Sequence, residues 1–197
     1  CNRRGTLLIE DAAQSQGAKY KKQSSGTLGD ISIFSFDPMK NMPSFGGGGA
    51  VLTDNKEHYD MIKSLRRHGI GSNLDYGYNS LLSDDHANQL LFLLSKFEKL
   101  QKSRKKVYER YRKNLPQFSF VGADNPHEPS YHKLVLLVEK RDELKDWLKT
   151  QGIETKIHYS KPLDQIGSYP NAESFCKKAI SLPIYPFLKT SEVDLVC

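Results

Sequence analysis

Ile9-Glu10-Asp11-Ala12-Ala13-Gln14 and, after a polar stretch, Ile31-Ser32-Ile33-Phe34-Ser35-Phe36-Asp37-Pro38-Met39-Lys40 are the two runs from which the rest of the chain can be read. The apolar residues of Thr6-Leu7-Leu8-Ile9 lead into the first run and predict a buried strand that stops at its carboxylates. The β-branched and aromatic content of residues 31–36 predicts a second strand, which Pro38 closes. Open α/β sheets bind ligands beyond the carboxyl ends of their strands. Asp11, Gln14, Ser35 and Lys40 all fall at or just past such an end.

Working outward, the glycines Gly46 to Gly49 run into Ala50-Val51-Leu52-Thr53, a third strand. A phosphate-binding Walker or dinucleotide loop would open a helix instead, so the run is read as close backbone approach or positive φ. Asp54 or Asn55 then caps a helix expected to reach His68, with Gly69 as its terminator. The longest helical stripe starts at Ser83 and runs to about Asn114, ahead of Pro116. Beyond it, Leu134 to Val138 and Glu154 to His158 read as strands, and Arg141 to Gln151 and Ala172 to Ile180 as helices. The expected organisation is an α/β segment over 1–82, a linking helix over 83–116 and a small α+β unit over 117–197.

Composition fits a folded domain: 38% of the 197 residues are apolar by the nine-letter count and 26% are charged. Three cysteines without a CxxC pair argue against a disulfide framework, and no apolar stretch is long enough for a membrane helix. Cys1-Asn2-Arg3-Arg4 leads directly into the first strand without a leader pattern, so a cytoplasmic location is expected. The absence of an initial Met leaves the natural length open. Between Lys96 and Lys113 nine basic residues face only Glu98 and Glu109, so this helix accounts for the whole net charge of +6. Clustered lysines can neutralise nucleic-acid phosphates. No recognition motif accompanies them, and the solvated face of an amphipathic helix is the reading adopted. The six histidines show no metal-ligand spacing, and no metal is expected.

A lysine at a strand end is a candidate Schiff-base nucleophile, and a nearby carboxylate is what pyridoxal phosphate (PLP) requires at its ring nitrogen, although a lone lysine after a strand is usually a surface residue and a lone aspartate there often a cap. The residues in combination go further. Ile9 to Gln14, Gly29-Asp30, Phe34-Ser35-Phe36 with Lys40, and the glycine run resemble the DegT/DnrJ/StrS family of PLP-dependent sugar aminotransferases. Leu65-Arg66-Arg67-His68-Gly69, Tyr78-Asn79-Ser80, Ile153-Glu154-Thr155, His158-Tyr159 and Ser181-Leu182-Pro183 continue the resemblance in order. It implies the aspartate-aminotransferase-like α/β fold (fold type I of PLP enzymes), here a partial large domain plus the small C-terminal domain. It implies that Lys40 bonds covalently to the cofactor, Asp11 pairs with the pyridine nitrogen, Gln14 lies against the ring and Ser35 binds the phosphate. Asn79 would reach the phosphate of a neighbouring subunit in a homodimer, and Tyr78 and His158 are candidates for the substrate pocket. The implied substrates are a nucleotide-linked keto sugar and an amino donor, glutamate.

Sugar dehydratases of the same family carry a histidine at the lysine position, so Lys40 favours transamination. An inactive fragment or an interaction protein that keeps the fold remains the alternative. The chain departs from the family pattern at Gly48, where an acidic residue is usual, and at Leu81, where arginine is usual. Ala87-Asn88 replaces a pair of small residues, and Asp164 replaces a histidine. Members of the family are about twice as long. Without the first half, the chain is expected to bind PLP poorly and to leave a sheet edge unpaired.

Overall fold

In chain order the strands are β1 (Ile9–Asp11), β2 (Lys19–Tyr20), β3 (Gln23–Ser24), β4 (Ile31–Ser35), β5 (Gly49–Leu52), β6 (Ser119–Val121), β7 (His127–Glu128), β8 (Leu134–Leu137) and β9 (Ala179–Leu182). The helices are α1 (Lys56–Leu65), α2 (Asp84–Asn114), α3 (Arg141–Thr150), α4 (Pro170–Lys178) and α5 (Thr190–Val196). This computed structural model describes residues 1–71, 73–122, 127–163 and 167–197. They fall into two units: Cys1–Glu98 with Asn125–Ser130, and Lys99–Asp124 with Tyr131–Cys197.

In the first unit, β4 lies between β1 and β5. It runs parallel to β1, with Ile9 opposite Ile31 and Asp11 opposite Ile33, and antiparallel to β5, with Ser35 opposite Gly49. Strand β1 begins at Ile9 rather than Thr6, because its partner β4 begins at Ile31. Leu7 and Leu8 precede the strand and are exposed, and the Leu8 amide donates to the Asp30 carboxylate at 2.7 Å. The expected buried run is therefore displaced towards its carboxylates, which lie inside the strand. Within the polar stretch, β2 and β3 form a hairpin that β7 extends into a small antiparallel sheet.

Helix α1 is capped by Asn55, whose side chain accepts from the amides of Glu57 and His58 at 2.8 and 3.0 Å. It ends at Leu65, short of the expected His68. Residues 65–68 pair instead with 78–80: the Tyr78 amide donates to Leu65 O at 2.7 Å and the Ser80 amide to Arg66 O at 3.0 Å. His68 has φ 59°, a left-handed conformation that no continuing helix allows.

The second unit holds the hydrophobic core. One stripe of α2 (Val107, Tyr108, Tyr111) together with Leu115 packs with Leu134 and Leu136 of β8, Ile180 and Leu182 of β9, Leu148 of α3 and Val193 of α5. Strand β8 is central, antiparallel to β6 and β9. Helix α4 stops at Lys178, where the helical reading had continued to Ile180. Ala179 to Leu182 are all buried and bonded to β8, so tertiary pairing overrides the local period. Residues 154–158 contribute one bridge, Lys156 to Ser181, in place of the expected strand.

The basic helix is put to structural use here. Arg110 forms a two-pronged pair with Asp194 at 2.7 Å, and Arg104 Nη1 donates to the carbonyl oxygen of Ile184 at 3.2 Å. Burial pushes the Arg104 guanidinium down to about 10, still well above neutrality.

Candidate active site

The parallel pair β1–β4 decides which carboxylate is available. Successive side chains of a strand point to opposite faces, so Glu10 and Asp11 diverge. Glu10 accepts from the Gly26 and Leu28 amides at 2.8 and 2.9 Å and from the Ser32 hydroxyl at 3.1 Å. Burial raises its carboxyl, but these bonds and the Gly29 amide outweigh that, and its pKa ends below the usual value. Asp11 stands on the other face, exposed, its Oδ1 accepting from the Ala13 amide at 3.0 Å. The adjacent backbone is fixed, since the Ala12 amide donates to Ile33 O at 3.0 Å.

Ser35 is the last residue of β4, and its hydroxyl accepts from the Asp37 amide at 3.3 Å. The chain then turns: the Met39 amide donates to the Asp37 carboxylate at 2.8 Å and the Lys40 amide to Asp37 O at 2.9 Å. Lys40 follows half-buried, and its amine has no hydrogen-bond or ion-pair partner among the described residues. The loop carrying it is held from both sides. Gln16, 7% exposed, donates to Ser35 O at 2.9 Å and accepts from the Met42 amide at 3.1 Å. Asn41, equally buried, donates to Ser130 O at 2.7 Å, while the Ser130 hydroxyl donates to Gln14 O at 3.0 Å. Two sets of bonds thus hold this loop: Gln16 ties the end of β4 to Met42, and Ser130 ties Gln14 to Asn41. Nothing in local sequence marks Gln16, Asn41 or Ser130, because each acts on a residue far along the chain.

The glycine run continues from this loop. Gly47 and Gly48 have φ 82° and 132°, and a side chain at Gly46 would meet the His86 ring at 2.3 Å. Backbone need accounts for the run, and at φ 132° a side chain placed on the Gly48 backbone would be strained. A cavity of about 910 Å³ lies beside it, lined by the glycines, Tyr59, Lys63, Arg66, Tyr78 and His86. Of the sequence-selected residues it includes Tyr78 alone. Tyr76 and Tyr78 are 63% and 64% exposed. Asn79 is exposed and bridged to Arg67, and Leu81 is also exposed. His158 belongs to the second unit, half-buried. Asp164 lies outside the described residues.

A strand-end carboxylate, a strand-end hydroxyl and a free amine on a pinned turn form a donor set with the chemistry that PLP demands: an anion for a ring nitrogen, a neutral donor for a phosphate and a nucleophile for an aldehyde. Residues 1–197 match the DegT/DnrJ/EryC1/StrS aminotransferase family throughout.

The chain belongs to that family.

Among its relatives is the dTDP-3-amino-3,4,6-trideoxy-alpha-D-glucose transaminase of Streptomyces venezuelae, 32% identical over 95% of this chain and 54% of the relative. A DegT DnrJ EryC1 StrS aminotransferase from Brucella abortus superposes with a TM-score of 0.92 at 31% identity, covering 99% of this chain and 56% of that one. Spr1654 of Streptococcus pneumoniae, in its PLP form, superposes at 0.86 with 28% identity, covering 96% and 55%. The fold is therefore that of the DegT/DnrJ/EryC1/StrS aminotransferases, in part: the chain spans about half the length of the relatives it matches. No described helix is long and apolar enough to cross a membrane.

Proposed function

We propose that the protein transfers an amino group from glutamate to a keto group of a nucleotide-linked sugar, with PLP as its cofactor. The observation that carries the reading is Lys40, its amine without a partner on a turn fixed by Gln16, following the strand that pairs in parallel with the one bearing Asp11. The name of the S. venezuelae relative supports the sugar class. Residues 1–82 are then part of the large PLP-binding domain, 83–116 the linking helix and 117–197 the small domain. A cytoplasmic location goes with this reading.

When bound, PLP supplies the electron sink that stabilises negative charge at the carbon being deprotonated. Lys40 would hold the cofactor through its amine and is placed to take the proton from the donor's α-carbon. The Asp11 carboxylate keeps a proton on the ring nitrogen, since an anion beside a base favours its charged form. The Ser35 hydroxyl donates to the phosphate, and Gln14 orients the ring. Asn79 donates to the phosphate bound by the partner subunit of a homodimer, and Tyr78 and His158 face the substrate.

In the intact protein, addition of PLP is expected to raise a visible absorbance band that Lys40→Ala abolishes. The same change should cut glutamate-dependent amination of a nucleotide-linked keto sugar by about 10³-fold or more. A folded protein without the band is an interaction protein or a remnant. A band with water loss from the sugar in place of amination marks a dehydratase.

A further inference from the structure

Gln16 lies two residues beyond Gln14, on the chain that leaves β1, and is buried at 7% exposure. A buried glutamine needs partners for both ends of its amide. These two ends reach opposite arms of the loop that follows β4. Nε2 donates to Ser35 O at 2.9 Å, and Oε1 accepts from the Met42 amide at 3.1 Å. Lys40 lies between those two attachment points. One side chain therefore grips the residue that opens the loop and the chain just past the lysine.

The bonds within the loop have a shorter reach. The Asp37 amide donates to Ser35 Oγ, the Met39 amide to the Asp37 carboxylate and the Lys40 amide to Asp37 O, all between near neighbours in the chain. They shape the turn without joining its arms. The Ser44 amide donates to Phe36 O at 2.8 Å and closes the neck, while Asn41 is tied outward to Ser130 O. Inside the neck the Gln16 amide is interposed between Ser35 O and the Met42 N–H, so its length enters the separation of the two arms.

That separation matters for a ligand held at two points. PLP is rigid, with its aldehyde and its phosphate arm on neighbouring ring carbons. A second attachment strengthens the first only when the spacing of the two protein groups matches the ligand. We propose that Gln16 is a positioning residue for the cofactor, setting the Ser35 hydroxyl that takes the phosphate against the Lys40 amine that takes the aldehyde. The inference rests on the PLP reading above and assigns to it a residue that acts through the loop. Gln16 makes the two attachments count together and strengthens neither by itself.

Pyridoxal separates this role from a general loosening of the fold, because it brings the same aldehyde and ring to Lys40 and no phosphate to Ser35. Dissociation constants of PLP and pyridoxal for the intact protein are read from the visible band. The parent is expected to prefer PLP by about 10²-fold or more. Gln16→Met keeps the volume and removes both polar ends; it should cut that preference about tenfold or more and leave pyridoxal affinity within about threefold. Ser35→Ala should also cut the preference in the parent, but by no more than about threefold further once Gln16→Met is present. An unchanged preference in Gln16→Met overturns the proposal, as does an equal loss for both ligands, which marks a loosened loop. Full additivity of the two substitutions overturns it as well. Should Gln16→Met fail to fold, Gln16→Asn keeps both polar ends on a side chain one methylene shorter, which cannot make both bonds across the same gap. It must then lower the preference, or the proposal falls. A parent that takes PLP no more tightly than pyridoxal refutes the reading of Ser35 and Lys40 and the proposal with it, whereas a preference that survives Gln16→Met refutes the proposal alone.

Discussion

Glu10 and Asp11 are adjacent in the chain and opposite in role. Glu10 locks the loop 26–29 against β4 through two backbone amides and a serine hydroxyl, whereas Asp11 faces the open side of β1. Because the folded Glu10 carboxyl titrates below its reference value of 4.5, the unfolded chain binds more protons between the two values. Its contribution to stability is thus complete above the reference value and is lost as pH falls through the lowered one. Glu10→Gln should cost about 1–2 kcal/mol at neutral pH and flatten the acid-side loss of stability. Urea midpoints measured from neutral pH downward check this; an unchanged acid slope in the variant refutes it. The sequence marked the pair of carboxylates, but the register against β4 decides that one is structural and the other available. Gln16 shows the limit more sharply, since a glutamine that holds both Ser35 O and the Met42 amide looks, in sequence, like any other polar loop residue.

Elements were legible where their signals were local. The Asn55 cap, the stripe of α2 and the β-branched β4 all carry such signals, and their positions match expectation to within a residue or so at the starts. Elements that depend on distant pairing were not. The first two residues of β9 read as the end of a helix until β8 claims them, and the β2–β3 hairpin is hidden because its turn lacks the usual Asn-Gly or Asp-Gly. That turn is Lys21-Lys22, with φ 47° and 71°, the two positive values of a two-residue loop between Tyr20 and Gln23. Left-handed backbone costs a side-chain-bearing residue about 1–2 kcal/mol, which glycine avoids while losing more chain entropy on folding. Lys22→Gly should therefore stabilise the first unit by about 0.5–1 kcal/mol, read as a rise in the thermal midpoint. A lowered midpoint would show that the Lys22 side chain contributes more than its backbone costs.

At the scale of the whole molecule, the 38% of apolar residues is unevenly put to use. The twelve buried residues of the main core all belong to the second unit. In the first unit Ile9, Ile33 and Val51, which share one face of the β1–β4–β5 sheet, are 65%, 37% and 47% exposed. Leu91, Phe92 and Leu94 on α2 are 64%, 64% and 56% exposed. Hydrophobic patterning identified these residues as ones to be covered, but a pattern cannot say what covers them. Coverage needs surface that the 197 residues do not supply within this unit, in a chain about half as long as its relatives. Exposed apolar area contributes nothing to stability, so local opening should be cheapest in the first unit. Hydrogen exchange on the 197-residue polypeptide should show amides of β8 and β9 protected at least about 10²-fold more than those of β1 and β5, a difference of near 3 kcal/mol in opening free energy. Equal protection in the two sheets would mean that the hydrogen-bond network around Glu10 and Gln16 holds the first unit without a core of its own.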